Sequence, residues 1–253
     1  MLLSETWREA HWQLKNICKW SPKATLPRRG CSDVDLQAQY SPTQYVRIRE
    51  LTRRYPLLQH GWMLGKSEFS ENLYLLDLLD RYVNVTISAC RGLEIGCRSF
   101  YYLPALYSFR AFNWDGVELD AYARFLNGRT RRAYGEAYAQ AFSGCHYHAD
   151  DVRTLQGSFD IIVWLLPFTT LAPLQLWGLP TRFFAPQQLL EKSYQLLSPA
   201  GKIFLVTQGE QETTNQCGLL QDSPIEFQDL GELDAVLSPF RQRRFGFLIT
   251  RKE

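Results

Sequence analysis

From Ser67 onward the chain alternates short apolar runs with amphipathic stretches of helical period, and this alternation most restricts what it can become. "EFSENLYLLDLLDRYV" places Phe69, Leu73, Leu76, Leu79 and Val83 on one helical stripe. "RGLEIG" reads as a strand, "LPALYSFRAF" as a helix, and "WDGVELD" as the next strand. A long helical tract, residues 121–142, is interrupted at Gly128 and Gly135. The strand "CHYHAD" follows, then "FDIIVWLL", the most apolar run and therefore the expected central strand. A helix in "PQQLLEKSYQLL", the turn "SPAG", the strand "KIFLVT" and a closing strand in "RRFGFLITRKE" complete the series. Repeated strand–helix–strand units predict an α/β fold with a doubly wound, mostly parallel sheet.

Residues 1–66 read differently, as a helical extension or cap ahead of an α/β domain over 67–253. "WREAHWQLKNICKW" has an apolar rhythm at Trp7, His11, Leu14 and Cys18, and a proline- and glycine-rich loop follows. A second helix is expected from Ser41, with Pro42 in its first position and Pro56 marking its end.

The 253 residues carry a net charge of only +2, so no global field draws the protein to nucleic acid or acidic lipid. Local basic clusters exist at Arg28–Arg29, Arg53–Arg54, 129–132 and 241–244, and they amount to an RNA-facing patch only if they converge in space. The six cysteines form no CxxC or short Cys/His pairing, which disfavours a zinc site, and with no apolar signal core they suggest reduced, cytoplasmic thiols. Residues 161–181 contain no charge over the length of a spanning helix. Three prolines inside that stretch break such a helix, so a buried strand running into an apolar loop fits better than a membrane span.

Ligands of doubly wound sheets bind beyond the carboxyl ends of the strands, near the reversal of strand order. The turn at Gly96 is thus the first candidate site. Glu118 lies 22 positions further on, near the spacing at which a strand-end carboxylate accepts the hydrogen bonds of a ribose diol; Asp120 is the alternative. His146 and His148 share one strand face, in a structural role or, for His148, as a base. Glu210 follows the fifth strand and either handles a substrate proton or simply starts a solvated helix.

In order along residues 68–253, "LEIG", "GVELD", "ADDVRTL", "FDIIVWLLPF" and "LLSPAGKIFLVT" resemble the motifs of the class I, seven-stranded S-adenosylmethionine-dependent methyltransferases. The closing "FGFLITRK" is similar to the antiparallel last strand of that fold. An apolar loop over Pro167–Pro186 and the segment Gln208–Glu212 resemble a divergent bacterial subgroup without an established substrate. The resemblance implies S-adenosylmethionine as cofactor, S-adenosylhomocysteine as product, and a small-molecule acceptor enclosed by loop and cap. It implies cofactor contacts from Glu94, Gly96, Cys97, Arg98, Glu118, Leu119, Asp151 or Asp150 beside the adenine amino group, and Trp164.

The chain departs from the family at the opening motif, acid-x-Gly-x-Gly-x-Gly, where Arg98 and Phe100 replace the later glycines. Pro104 is tolerated only early in a helix, so the helix is expected to start near 101–103 after a longer loop that needs fewer glycines. Arg98 either pairs with a methionine carboxylate or lies exposed at the loop tip. The departure leaves three alternatives to a small-molecule methyltransferase: a scaffold of the same fold that has lost its cofactor, an RNA methyltransferase using the arginine clusters, and, more remotely, a nicotinamide-dependent dehydrogenase lacking its glycine fingerprint.

Overall fold

The computed structural model describes residues 4–27, 33–83, 91–110 and 113–251; Arg28, Arg29, Cys31 and Cys90 lie outside the described residues. Five helices come first: α1 (Glu5–Ile17), α2 (Asp33–Gln39), α3 (Pro42–Arg54), α4 (Leu57–His60) and α5 (Lys66–Tyr82). Then follow β1 (Arg91–Ile95), α6 (Leu103–Phe109), β2 (Asn113–Val117), α7 (Arg131–Gln140), β3 (His146–His148) and β4 (Phe159–Leu165). The chain ends with α8 (Leu171–Leu176), α9 (Pro186–Gln195), β5 (Leu197–Gln208), α10 (Gly209–Gln221), β6 (Glu226–Glu232) and β7 (Arg244–Thr250).

The strands form one seven-stranded sheet in the order β3-β2-β1-β4-β5-β7-β6. The pairs β1–β2, β1–β4, β2–β3 and β4–β5 are parallel, and β7 enters antiparallel between β5 and β6. This is the doubly wound, mostly parallel sheet with an antiparallel last strand that the sequence predicts. Its strand order reverses between β1 and β4, and that reversal opens a crevice at their carboxyl ends.

Burial follows the period of two along the central strand. Ile161 and Val163 of β4 enter the core formed with α2, α3, α5 and α6, while Ile162 and Trp164 enter the core formed with α9 and α10. The stripe Phe69, Leu73, Leu76, Leu79 and Val83 is buried, and Leu75 and Leu78 are buried too, because α5 is wrapped on more than one side. Ser41 and Gln44 form a reciprocal cap at the start of α3, with Pro42 at its first position.

Three expectations change. The face of α1 that points inward carries Arg8 and Trp12, leaving Trp7, Leu14 and Ile17 exposed. Only residues 131–140 of the tract 121–142 are helical; residues 124–130 form a small hairpin closed by an Arg124–Thr130 bridge, with Gly128 at φ +77°. Gly135 does not interrupt α7. It sits inside the helix because a Cβ there would come within 2.2 Å of the Tyr147 ring. β6 is the strand that the sequence reading does not locate: "EFQDLGE" is a polar edge strand, and its residues are exposed or half-buried.

Candidate functional site

The loop from Gly96 to Tyr102 joins β1 to α6, and its backbone decides the site. Gly96, Arg98 and Phe100 all adopt left-handed conformations, at φ +69°, +53° and +60°. The three positions that would be glycines in the family motif therefore keep glycine-like backbone, and two of them do so with side chains. The expectation of fewer glycine-demanding positions is overturned. The helix start is where the proline places it, with Tyr102 just before α6 and Pro104 in its first turn.

Each of the two side chains has its own compensation. Phe100 is completely buried beneath the loop, away from the crevice, and its ring occupies the space over Gly116 of β2. A Cβ at Gly116 would come within 2.8 Å of that ring and 2.9 Å of the Cys97 sulfur. Cys97 thus belongs to the packing under the loop. Arg98 turns the other way, into the crevice. Its backbone N–H donates to Glu118 Oε2 at 2.8 Å, and its guanidinium lies 5.5 Å from the Trp177 ring and 5.6 Å from the Tyr101 ring.

Glu118 immediately follows β2 and is buried. Its Oε1 accepts the Asp120 N–H at 2.7 Å, and Arg131 stands 3.5 Å from the same oxygen. Burial raises its carboxyl above the ordinary range, against the opposing pull of Arg131 and the two amides. An ionised carboxylate offers about four acceptor sites, so two amides leave capacity for a hydroxyl pair. Glu94, on β1 under the loop, is also buried, and its Oε2 has no hydrogen-bond partner among the described residues. Burial first, and the neighbouring Glu118 second, push its carboxyl well above the usual range.

Above the loop lies a cavity of about 230 Å³. Of the residues expected at a cofactor, Gly96, Arg98, Glu118, Leu119, Asp150, Asp151 and Trp164 line it, whereas Glu94 and Cys97 lie beneath it. A Cβ on Gly96 would meet nothing within 4 Å, so the cavity is open directly over that residue. Asp151 is engaged by its own segment, capping the turn at Arg153 and holding that guanidinium at 2.6 Å. Asp150 is exposed and uses Oδ1 on the Asp151 N–H.

No protein-family model matches the chain, and no curated protein matches it. Solved structures do. A methyltransferase described as S-adenosylmethionine-dependent, from Aquifex aeolicus, superposes with a TM-score of 0.53 at 11% identity, covering 84% of this chain and 99% of that one. A methyltransferase from Pyrococcus furiosus gives 0.52 at 14% identity, over 83% and 98% of the two chains. A putative class I S-adenosylmethionine-dependent methyltransferase from Listeria monocytogenes gives 0.50 at 12%, over 88% and 69%. The chain has the class I methyltransferase fold.

The apolar stretch after β4 forms α8 and a turn at Thr181–Phe183, and Phe168, Leu174, Trp177 and Phe183 from it line the cavity. No helix among the described residues is long and apolar enough to cross a membrane. The same stretch packs on α1, where the Trp12 and Phe183 rings stand 4.7 Å apart. Glu5 accepts the Thr181 N–H at 2.7 Å, and Lys15 reaches Asp120 at 2.6 Å. The loop therefore both roofs the cavity and seats the N-terminal helix.

The two weak catalytic candidates stand outside the cavity. Glu210 is largely exposed and paired with Arg243 at 2.7 Å. His148 lies 3.6 Å from Asp115 and does not line the cavity. Sequence reasoning passed over Glu212, which does line the cavity, beside Gln208, whose N–H it accepts at 3.3 Å. The signal was present in the spacing: positions 208 and 212 share a helical face, and 210 does not. Burial raises the Glu212 carboxyl above its ordinary value.

Proposed function

We propose that the chain is an S-adenosylmethionine-dependent methyltransferase acting on a small-molecule acceptor in a cytoplasmic setting. The observation that carries the reading is Glu118, held by two loop amides at the end of β2, facing a cavity that is open over Gly96. The residues that line the cavity fit the cofactor: Glu118 has acceptor capacity for a ribose diol, and Asp150 and Asp151 would stand at the adenine end, whereas Glu94 lies beneath the loop and does not reach it. Arg98 supplies a cation for a carboxylate.

The cofactor, when bound, provides an activated methyl group on a sulfonium. The chain's residues do the rest. Phe168, Pro167 and Trp177 exclude water and hold a flat apolar acceptor, and Glu212 takes the acceptor's proton at its carboxylate. The enclosing loop and the Gln208–Glu212 segment are the features whose sequence resembles the divergent bacterial subgroup.

The second reading, a scaffold that has lost its cofactor, is favoured by the Arg98 guanidinium inside the cavity. An RNA methyltransferase is less supported, since Arg54, Arg131, Arg132 and Arg243 are each paired with acids of this chain. Calorimetric titration with S-adenosylhomocysteine separates the first two. Saturable binding is expected, weakened about tenfold or more in Glu118→Ala, since a hydrogen bond to a charged group contributes about 1.5–3 kcal/mol. No binding to the wild-type chain would leave the scaffold reading.

A further inference from the structure

A surface helix normally turns its charges outward. Helix α1 does the reverse. Arg8 is buried and Lys15 points at Asp120, while the exposed positions are Thr6, Trp7, Ala10, Gln13, Leu14 and Ile17, none of them charged. Ile17 and, just beyond the helix, Trp20 are each 77% exposed. The 124–130 hairpin continues this face. Leu126 stands fully exposed at its tip beside half-exposed Phe125. Arg124 stitches the hairpin to the carbonyls of Cys18 and Trp20, at 3.2 and 2.6 Å, and Arg129 to that of Lys23 at 3.0 Å.

The charge around this patch has one sign. Residues 10–27 and 121–135 contain no acid. Lys15, Arg131 and Arg132 are committed to Asp120 and Glu136. Lys19, Lys23, Arg124 and Arg129 have no carboxylate partner among the described residues, and the last two spend their hydrogen bonds on neutral carbonyls, keeping full charge. A chain of net charge +2 thus concentrates cations around its most exposed apolar side chains.

We propose that this face docks the protein on an anionic lipid surface, with Leu126, Ile17 and Trp20 entering the headgroup region and the four cations against lipid phosphates and carboxylates. Exposed aliphatic side chains ringed by Lys and Arg, with Trp at the boundary, are what an interfacial helix presents. A nucleic acid would engage the cations and gain nothing from Leu126, Leu14 or Ile17. A second copy of the chain, paired face to face, would bring the two cationic rims together. Because Trp12 on the inner side of α1 packs on Phe183 of the cavity roof, docking places that roof behind α1, one helix away from the membrane.

The test is co-sedimentation of the full chain with vesicles of phosphatidylcholine alone or with about 30% phosphatidylglycerol, read also by tryptophan emission. Binding to the anionic vesicles should be about tenfold tighter or more, blue-shift the emission and weaken with salt. The double variant Ile17→Asp, Leu126→Asp should lose it with an unchanged melting curve, and Lys19→Glu, Lys23→Glu, which leaves the apolar residues in place, should weaken it at least about fivefold. The proposal is overturned if the chain ignores anionic vesicles, or binds neutral ones equally. It also fails if neither double variant weakens binding, if a single-stranded RNA oligomer binds more tightly than the vesicles and survives the Asp substitutions, or if those substitutions only dissociate a dimer.

Discussion

Position 98 combines a strained backbone with a side chain that lines the cavity and is proposed to meet the cofactor. A non-glycine residue in the left-handed region costs roughly 1–2 kcal/mol, and Arg98 bears it at φ +53°. Arg98→Gly should therefore leave the fold as stable or raise its melting temperature by about 2–4 °C, while weakening S-adenosylhomocysteine binding by removing the cation. A melting temperature that falls by several degrees would show that the contacts to Trp177 and Tyr101 outweigh the strain. Glu94 holds a second tension. Its carboxyl is raised in the folded chain, so it contributes stability that is full below about pH 4.5 and is lost as pH rises through the folded value. Glu94→Gln should remove that dependence. Its advantage over wild type in denaturant unfolding should widen as pH rises from about 4.5, and parallel curves across that rise would refute the assignment.

The loop and the strand beside it form a unit in which glycines have moved rather than vanished. Phe100 fills the volume that Gly116 vacates, and Tyr147 does the same against Gly135. Gly116→Ala should cost about 1–3 kcal/mol by overpacking, and much less in a Phe100→Ala background, giving a coupling energy above about 1 kcal/mol. Additive effects would mean that the two positions do not share the space. This exchange explains what the sequence conveyed. The apolar strands, the start of α6 at Pro104 and the spacing from Gly96 to Glu118 follow from hydrophobic period and proline geometry, which act locally. The backbone of the loop did not, since Arg98 and Phe100 argue against left-handed conformations and their compensation lies about 16–20 residues away, in Gly116 and Glu118. β6 was illegible because a polar edge strand has no apolar alternation to read, and the inward face of α1 because its partners, Asp120 and Thr181, are polar.

Across the whole molecule, α1 is bound to the roof and to the acidic end of β2, not to the sheet cores. Its ties include Trp12 on Phe183, Glu5 on Thr181, Glu9 on Arg182, and Lys15 on Asp120, whose own N–H holds Glu118. Such a helix, with one buried aromatic and few polar latches, belongs to the least stable part of the structure, whereas β4 and β5 pair on both sides in its centre. A ligand bound at Glu118 therefore touches the chain of bonds Glu118–Asp120–Lys15 and should steady α1 from a distance. In hydrogen exchange, amides of α1 and of residues 168–184 should exchange together and well ahead of β4. Addition of S-adenosylhomocysteine should protect both segments. Lys15→Ala should reduce the added protection of α1, which keeps its contacts to Phe183 and Thr181, while leaving that of 168–184, because Phe183 and Trp177 line the cavity directly. If α1 is already as protected as β4 without ligand, or if Lys15→Ala leaves its protection intact, the helix is a fixed part of the core and the coupling through Asp120 is wrong.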